Sequence, residues 1–156
     1  MPPGDPAPWQ FGDRPESEVL PEFKTEFRDL VAAASRDSLQ TPDGQPSVEQ
    51  AMFQAELLKL MKRAHSGTVR EVEYDVVNHV DVVVELKHPR PGNLQGWHYR
   101  LYTGVPVRQH EKLLVWLSAD RKQDVAIDPL WKLWQNEQIR RAVSRFKAWL
   151  NSRLHA

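Results

Sequence analysis

Apolar residues recur along this chain in two different periods, and the change from one to the other divides it. From Phe23 onward, Phe23, Phe27, Leu30 and Val31 fall on one helical stripe that follows Pro21. The Thr41-Pro42-Asp43-Gly44 turn signal ends that helix. Ser47-Val48-Glu49-Gln50 reads as a capping box opening a second helix, with Met52, Phe53, Leu57, Leu60 and Met61 on its buried side and Gly67 at its end. Two helices joined by a Pro/Gly turn predict a hairpin.

Beyond Val69 the period becomes two. Val72, Tyr74 and Val76 alternate with Glu71, Glu73 and Asp75, and Val80, Val82, Val84 and Leu86 alternate with Asp81, Val83 and Glu85, the two runs meeting at Asn78-His79. Glu71, Glu73, Asp75 and Glu85 are thereby expected on an exposed sheet face. His88-Pro89-Arg90-Pro91-Gly92 breaks the pattern, and Trp97 to Val105 and Leu113 to Ser118 supply two further strands. The connections are too short for crossover helices, so an antiparallel sheet is predicted. Asp128-Pro129 then pairs a capping residue with Pro at the first helical position. Leu130, Leu133, Trp134, Ile139, Ala142, Val143, Phe146, Trp149, Leu150 and Leu154 trace an apolar stripe with a break expected near Asn136. The fold class is α+β: an N-terminal helical hairpin, a small antiparallel sheet and a C-terminal amphipathic helix. Residues 21–156 form one domain, and residues 1–20 an extended arm that pins itself through Trp9 and Phe11.

Composition narrows the classes. A chain of 156 residues, 40% apolar and 27% charged, matches one packed core. The absence of cysteine removes disulfides, thiolate metal sites and a Cys nucleophile. No apolar leader or membrane-length run is present, so a cytoplasmic protein with no membrane contact is expected. The net charge of zero conceals an asymmetry: residues 1–85 hold eight Lys/Arg against sixteen Asp/Glu, and residues 86–156 hold thirteen against five. A basic half is the electrostatic footprint of a polyanion partner. Equally, the two halves can neutralise each other across the fold.

No Gly-rich phosphate loop, nucleophile elbow or His-x-x-x-His pair appears, and neither cofactor nor metal is expected. Two constellations carry possible chemistry. In the first, Lys87 and His88 end one strand, Tyr99-Arg100-Leu101-Tyr102 forms the next, and Arg121-Lys122 follows the last. Adjacent antiparallel strands can gather these cations on one side of the sheet, where they would hold a phosphodiester and neutralise the phosphorane formed when a ribose 2′-hydroxyl attacks it. Arg100 is expected to be exposed on the face away from the helices. In the second, Asp75 with Glu85-x-Lys87 has the spacing of a restriction-like nuclease core, in which two carboxylates hold Mg²⁺ and a Lys helps activate water. A solvated Glu–Lys pair on a strand has the same spacing. Trp131 and Trp134 fit either a partner anchor or the core.

The segments Val83-Val84-Glu85-Leu86-Lys87, Gly96-Trp97-His98-Tyr99-Arg100-Leu101-Tyr102, Leu113-Leu114-Val115-Trp116-Leu117 with Arg121-Lys122, and Asn136-Glu137-Gln138-Ile139-Arg140-Arg141-Ala142 resemble the RelE/ParE/HigB toxins of type II toxin–antitoxin systems. The resemblance spans roughly residues 20–150, and the order of helical hairpin, sheet and closing helix is similar. It implies a metal-independent endoribonuclease acting on messenger RNA at the ribosome, with a cognate antitoxin as partner. By position it implies catalytic roles for Arg100, Lys87, Arg121 and Lys122, and RNA contacts from His88, Tyr102 and Arg90. For the family's catalytic Tyr or His near the C-terminus, the candidates here are His88, Tyr102 and His110. Two further readings remain: a non-catalytic protein-binding module of the same fold, and the Mg-dependent restriction-like nuclease.

Overall fold

The computed structural model describes residues 14–37, 48–88, 97–108, 112–123 and 128–154. In chain order these form β1 (Glu16–Val19), α1 (Pro21–Asp37), α2 (Val48–Ser66), β2 (Tyr74–Asn78), β3 (Val83–His88), β4 (Trp97–Gly104), β5 (Leu113–Gln123) and α3 (Trp131–Leu154). The architecture is α+β, three helices on a five-stranded sheet of order β1-β5-β4-β3-β2. From β2 to β5 the sheet is an antiparallel meander, as the short connections require. However, β1 lies parallel to β5, with Glu16 opposite Leu113 and Val19 opposite Trp116, so the sheet is mixed. Its sequence, Glu-Ser-Glu-Val, has no apolar alternation. It is a strand because backbone bonds make it one, from Glu16 N–H to the Lys112 carbonyl (2.9 Å) and from Leu20 N–H to the Trp116 carbonyl (3.1 Å). The arm expected over residues 1–20 thus contributes an edge strand. Trp9, Phe11, the 41–46 turn and the Ser47 cap lie outside the described residues.

Helices cover both faces of the sheet. On one, Phe23, Leu30 and Val31 of α1 and Leu57, Leu60 and Ala64 of α2 pack on Val84, Leu86, Leu101, Leu114 and Trp116. On the other, Ala142, Phe146, Trp149 and Leu150 of α3 pack on Val83, Tyr102, Val115 and Leu117. Each fully buried Val, Leu or Phe among them contributes roughly 1.5–3 kcal/mol of transfer free energy. Because neither face of β3 is open, it is buried from Val83 through Leu86, and Glu85, expected on an exposed face, is 0% exposed. Close packing of α3 depends on Gly104: a Cβ there would lie 2.5 Å from the Phe146 ring.

Several boundaries differ from expectation. Glu71–Glu73 is a 3-10 turn instead of a strand start, and Glu73 forms a bidentate pair with Arg63 (2.7 and 2.8 Å). Val72 and Val80 stand in turns and are exposed, as is Met52 on α2. β5 continues to Gln123, so Arg121 and Lys122 are strand residues. α3 is unbroken at Asn136, and Asp128 caps it by accepting from the Leu130 N–H (2.9 Å). α2 ends as its glycine requires: Gly67 has φ 71°, with Thr68 N–H bonded to the Arg63 carbonyl and Gly67 N–H to that of Ala64. No helix among the described residues is long and apolar enough to cross a membrane.

Candidate functional site

Register decides which cations meet. Lys87 pairs with Arg100, Arg100 with Asp120, Glu85 with Tyr102, and His98 with Lys122. Because neighbours in register share a face, Asp75, Glu85, Lys87, Arg100, Tyr102, Asp120 and Lys122 all lie on the α3 side of the sheet, at the end where β3 finishes. His88 and Arg121 sit at the same end but on the α1/α2 side. There the His88 ring packs edge-on to Phe53 and lies 2.6 Å from Glu56, while the Arg121 guanidinium stacks 3.9 Å from the Trp97 centroid. The expected single cluster is therefore split between two faces. Arg90 and His110 lie outside the described residues.

Glu85 is the hub on the α3 side. Its carboxylate accepts from Tyr102 Oη (2.8 Å) and from Gln135 Nε2 of α3 (3.2 and 3.3 Å). Arg100 Nε is 3.6 Å from the same carboxylate, and Arg100 donates to the Tyr99 carbonyl (3.0 Å). Arg100 is 7% exposed. The expectation of an exposed Arg100 is overturned: α3 roofs this face, and burial lowers the Arg100 pKa against the opposing pull of Glu85. Its guanidinium is the counter-charge that makes a buried Glu85 tolerable. Burial, reinforced by Glu85, likewise raises the Tyr102 pKa well above that of a free phenol, which keeps its hydroxyl a donor.

Lys122 is different. Its Nζ donates to Gln135 Oε1 (2.8 Å) and lies 4.4 Å from the Trp131 ring centroid. Burial, then the charges of Arg100 and Lys87, push its pKa down to about 8. An amine titrating there holds both protonation states near neutrality, so it can move a proton as well as carry charge. Lys87 is ion-paired with the more exposed Asp75 at the mouth of the cluster.

Asp75, Glu85 and Lys87 do share a face, as the restriction-like spacing requires. Yet the Glu85 oxygens are occupied by Tyr102 and Gln135, and Lys87 already neutralises Asp75. Among the described residues no group of three His, Cys, Asp or Glu is placed to hold a metal ion.

The sequence reading missed Gln135 and Gln138, which close this site from above; Gln138 Nε2 also donates to the Arg121 carbonyl (3.0 Å). Their signal was present. Trp131, Gln135, Gln138 and Ala142 follow a 4-3-4 spacing, the buried stripe of α3, and a polar residue on a core stripe needs a polar partner beneath it. Trp131 is half-buried against Lys122, whereas Trp134 is 50% exposed. Compared with protein-family models, characterised proteins and solved structures, the chain matches none.

Proposed function

We propose that this chain is a toxin of the RelE/ParE/HigB type that cleaves messenger RNA at the ribosome without a metal ion, in the cytoplasm, and is held in check by a cognate antitoxin. The observation that supports it is the convergence of Lys87, Arg100 and Lys122 with Tyr102 on one face at one end of the sheet. A reaction that needs only a positioned 2′-hydroxyl and a neutralised phosphorane calls for such a set of cations. Lys87, the more open of the lysines at the mouth of the cluster, is the member that reaches the phosphate in this reading; Lys122, 7% exposed, and Arg100 supply positive charge from behind it. Two helices, an antiparallel meander and a closing helix also support the reading, although β1 precedes them and makes the sheet mixed.

The test is induction of the chain alone in a bacterial culture, with messenger RNA ends mapped. Growth arrest and new cleavage ends are expected, with rescue by a neighbouring small antitoxin gene. Lys122→Met, which keeps the buried stem and removes the charge, should relieve the arrest while the purified variant stays folded. Normal growth and intact messages on strong induction remove the reading.

A second reading, a non-catalytic protein-binding module, is favoured by one observation: Glu85 and Arg100 are sealed under Gln135 and Gln138, so the network serves as a clasp holding α3 to the sheet. On that reading induction leaves growth untouched, and Lys122→Met changes stability alone.

A further inference from the structure

We infer that the trough where α1, α2 and the β1 edge meet is a docking surface for an acidic peptide segment of a partner protein, one that mixes apolar and carboxylate side chains. The trough lies on the sheet face opposite Lys87 and Lys122, so the inference stands whether or not the chain cleaves RNA. Two adjoining grooves of about 540 and 450 Å³ share Val19, Leu58 and Met61 as common walls, which makes them one continuous depression. Phe23, Phe27 and Val31 line its α1 side. Leu58 is 49% exposed, a large aliphatic side chain left half in water at the centre of the feature.

The charge around it runs against composition. The first half of the chain carries a balance of minus eight, yet the charged residues lining the trough are Lys24, Arg28 and Lys62, with no carboxylate among the described lining residues. Two of the acids on these elements turn to α3: Glu18 of β1 accepts from Trp149 and Arg153, and Glu26 of α1 from Arg145, while Glu56 of α2 is taken up by His88. The charge presented by the trough's described lining is thus basic, with Glu18 and Glu26 engaged on α3. An apolar floor with a cationic rim is complementary to a segment that buries apolar residues and sets carboxylates beside them. A nucleic-acid backbone gains nothing from such a floor. At one end the trough includes Ser17 of β1, and β1 terminates the sheet, so an extended segment can begin there as an added strand.

The probe is a displayed library of random twenty-residue peptides, selected against the full chain. Enriched peptides should be net negative with several large apolar residues, and should bind Leu58→Glu and Arg28→Glu at least tenfold more weakly than the natural sequence. Their affinity should fall with added salt, and their chemical-shift footprint should cover α1, α2 and β1. Both positions are exposed, so the variants should unfold at the same midpoint as the parent; if Leu58→Glu does not fold, the Lys24→Glu, Arg28→Glu pair gives the same reading. Selected peptides without net negative charge, or binding Leu58→Glu undiminished, overturn the inference. So does a homodimer in sedimentation that Leu58→Glu dissolves, because the occupant is then a second copy.

Discussion

Arg100 shows how burial reverses the meaning of a residue. On an exposed sheet it would be a phosphate ligand whose removal leaves the fold intact. Under α3 it is the counter-charge of a carboxylate with no access to water, and its removal leaves that charge uncompensated. Breaking a buried pair typically costs roughly 3–5 kcal/mol; the lower end applies here, because Glu85 keeps its bonds to Tyr102 and Gln135. Arg100→Ala should therefore lose about 3 kcal/mol in urea unfolding, while Arg108→Ala, at an exposed site, should lose almost nothing. An Arg100→Ala variant of unchanged stability would show that Glu85 needs no such partner. Asp120 gives a pH signature of opposite origin. Burial, then the Glu26 charge, raises its pKa from 3.8 to about 6, against the pull of Arg141 and Arg145. The folded state thus binds this proton more tightly than the unfolded chain. The resulting stabilisation, roughly 3 kcal/mol at most, is fully present below about pH 4 and is lost as pH rises through 6. Asp120→Asn keeps the Oδ1 that accepts from Arg141 and removes the charge. It should be more stable than the parent at pH 8, with the difference shrinking as pH falls through 6 and vanishing only below about pH 4; equal stability at pH 8 would refute the raised pKa.

At the level of elements, packing and backbone bonding explain what the residue pattern showed and what it concealed. Both long N-terminal helices, the meander and the final helix were legible, because Phe23, Leu30 and Val31 and Leu57, Leu60 and Ala64 are buried at helical spacing, and Val84 and Leu86 share one buried strand face even though β3 is covered on both sides. β1 was not legible, since a four-residue edge strand with two acids has no side-chain pattern and exists through its bonds to β5. The site was legible in part. Register brought Lys87, Arg100, Tyr102 and Lys122 together, but a sequence does not say which sheet face a later helix will cover, and so Arg100 and Glu85 were expected in water. The helix that covers them rests on one small residue. With Phe146 over Gly104 and its ring 1% exposed, an added methyl has no space to enter. Gly104→Ala should cost about 1–3 kcal/mol by overpacking. Since α3 also supplies Gln135, the variant should raise the Lys122 pKa toward that of a free amine, which the ¹⁵N-detected titration of Nζ would report. Wild-type stability and an unmoved titration would mean that Phe146 has room to give way.

Across the whole molecule, the minus-eight and plus-eight halves of the chain neutralise each other pair by pair. Three pairs are exceptions among the described residues: Arg63–Glu73 lies inside the acidic half, and Arg140–Glu137 and Arg141–Asp120 lie inside the basic half. Arg141 bridges Glu26 and Asp120, Arg145 holds Glu26, Arg153 holds Glu18, Arg100 holds Glu85, and Lys87 and His88 meet Asp75 and Glu56. The asymmetry that suggested a polyanion partner is thus largely spent inside the fold, joining α3 to the elements that precede the sheet's last strands. Most of these pairs are exposed, and each such pair is worth between zero and about 1 kcal/mol. Glu26–Arg145 differs. Both side chains are about 20% exposed, the pair is bidentate at 2.7 and 2.9 Å, and each partner also fixes β5. Arg145 donates to the Leu117 carbonyl (2.9 Å), and Glu26 accepts from the Ala119 N–H (3.2 Å). One pair therefore ties α1, β5 and α3 at a single point, in a geometry that lets neither side chain wander. A double-mutant cycle with Glu26→Ala and Arg145→Ala should give a coupling energy of about 1–2 kcal/mol, against less than about 0.5 kcal/mol for the exposed Glu137–Arg140 pair. Because burial rather than solvent shields the first pair, its coupling should survive 1 M salt while the second disappears. If the Glu26–Arg145 coupling is as small as that of the exposed pair, or is lost in salt, the halves are joined by apolar packing alone and the charge pattern regains its claim on an outside partner.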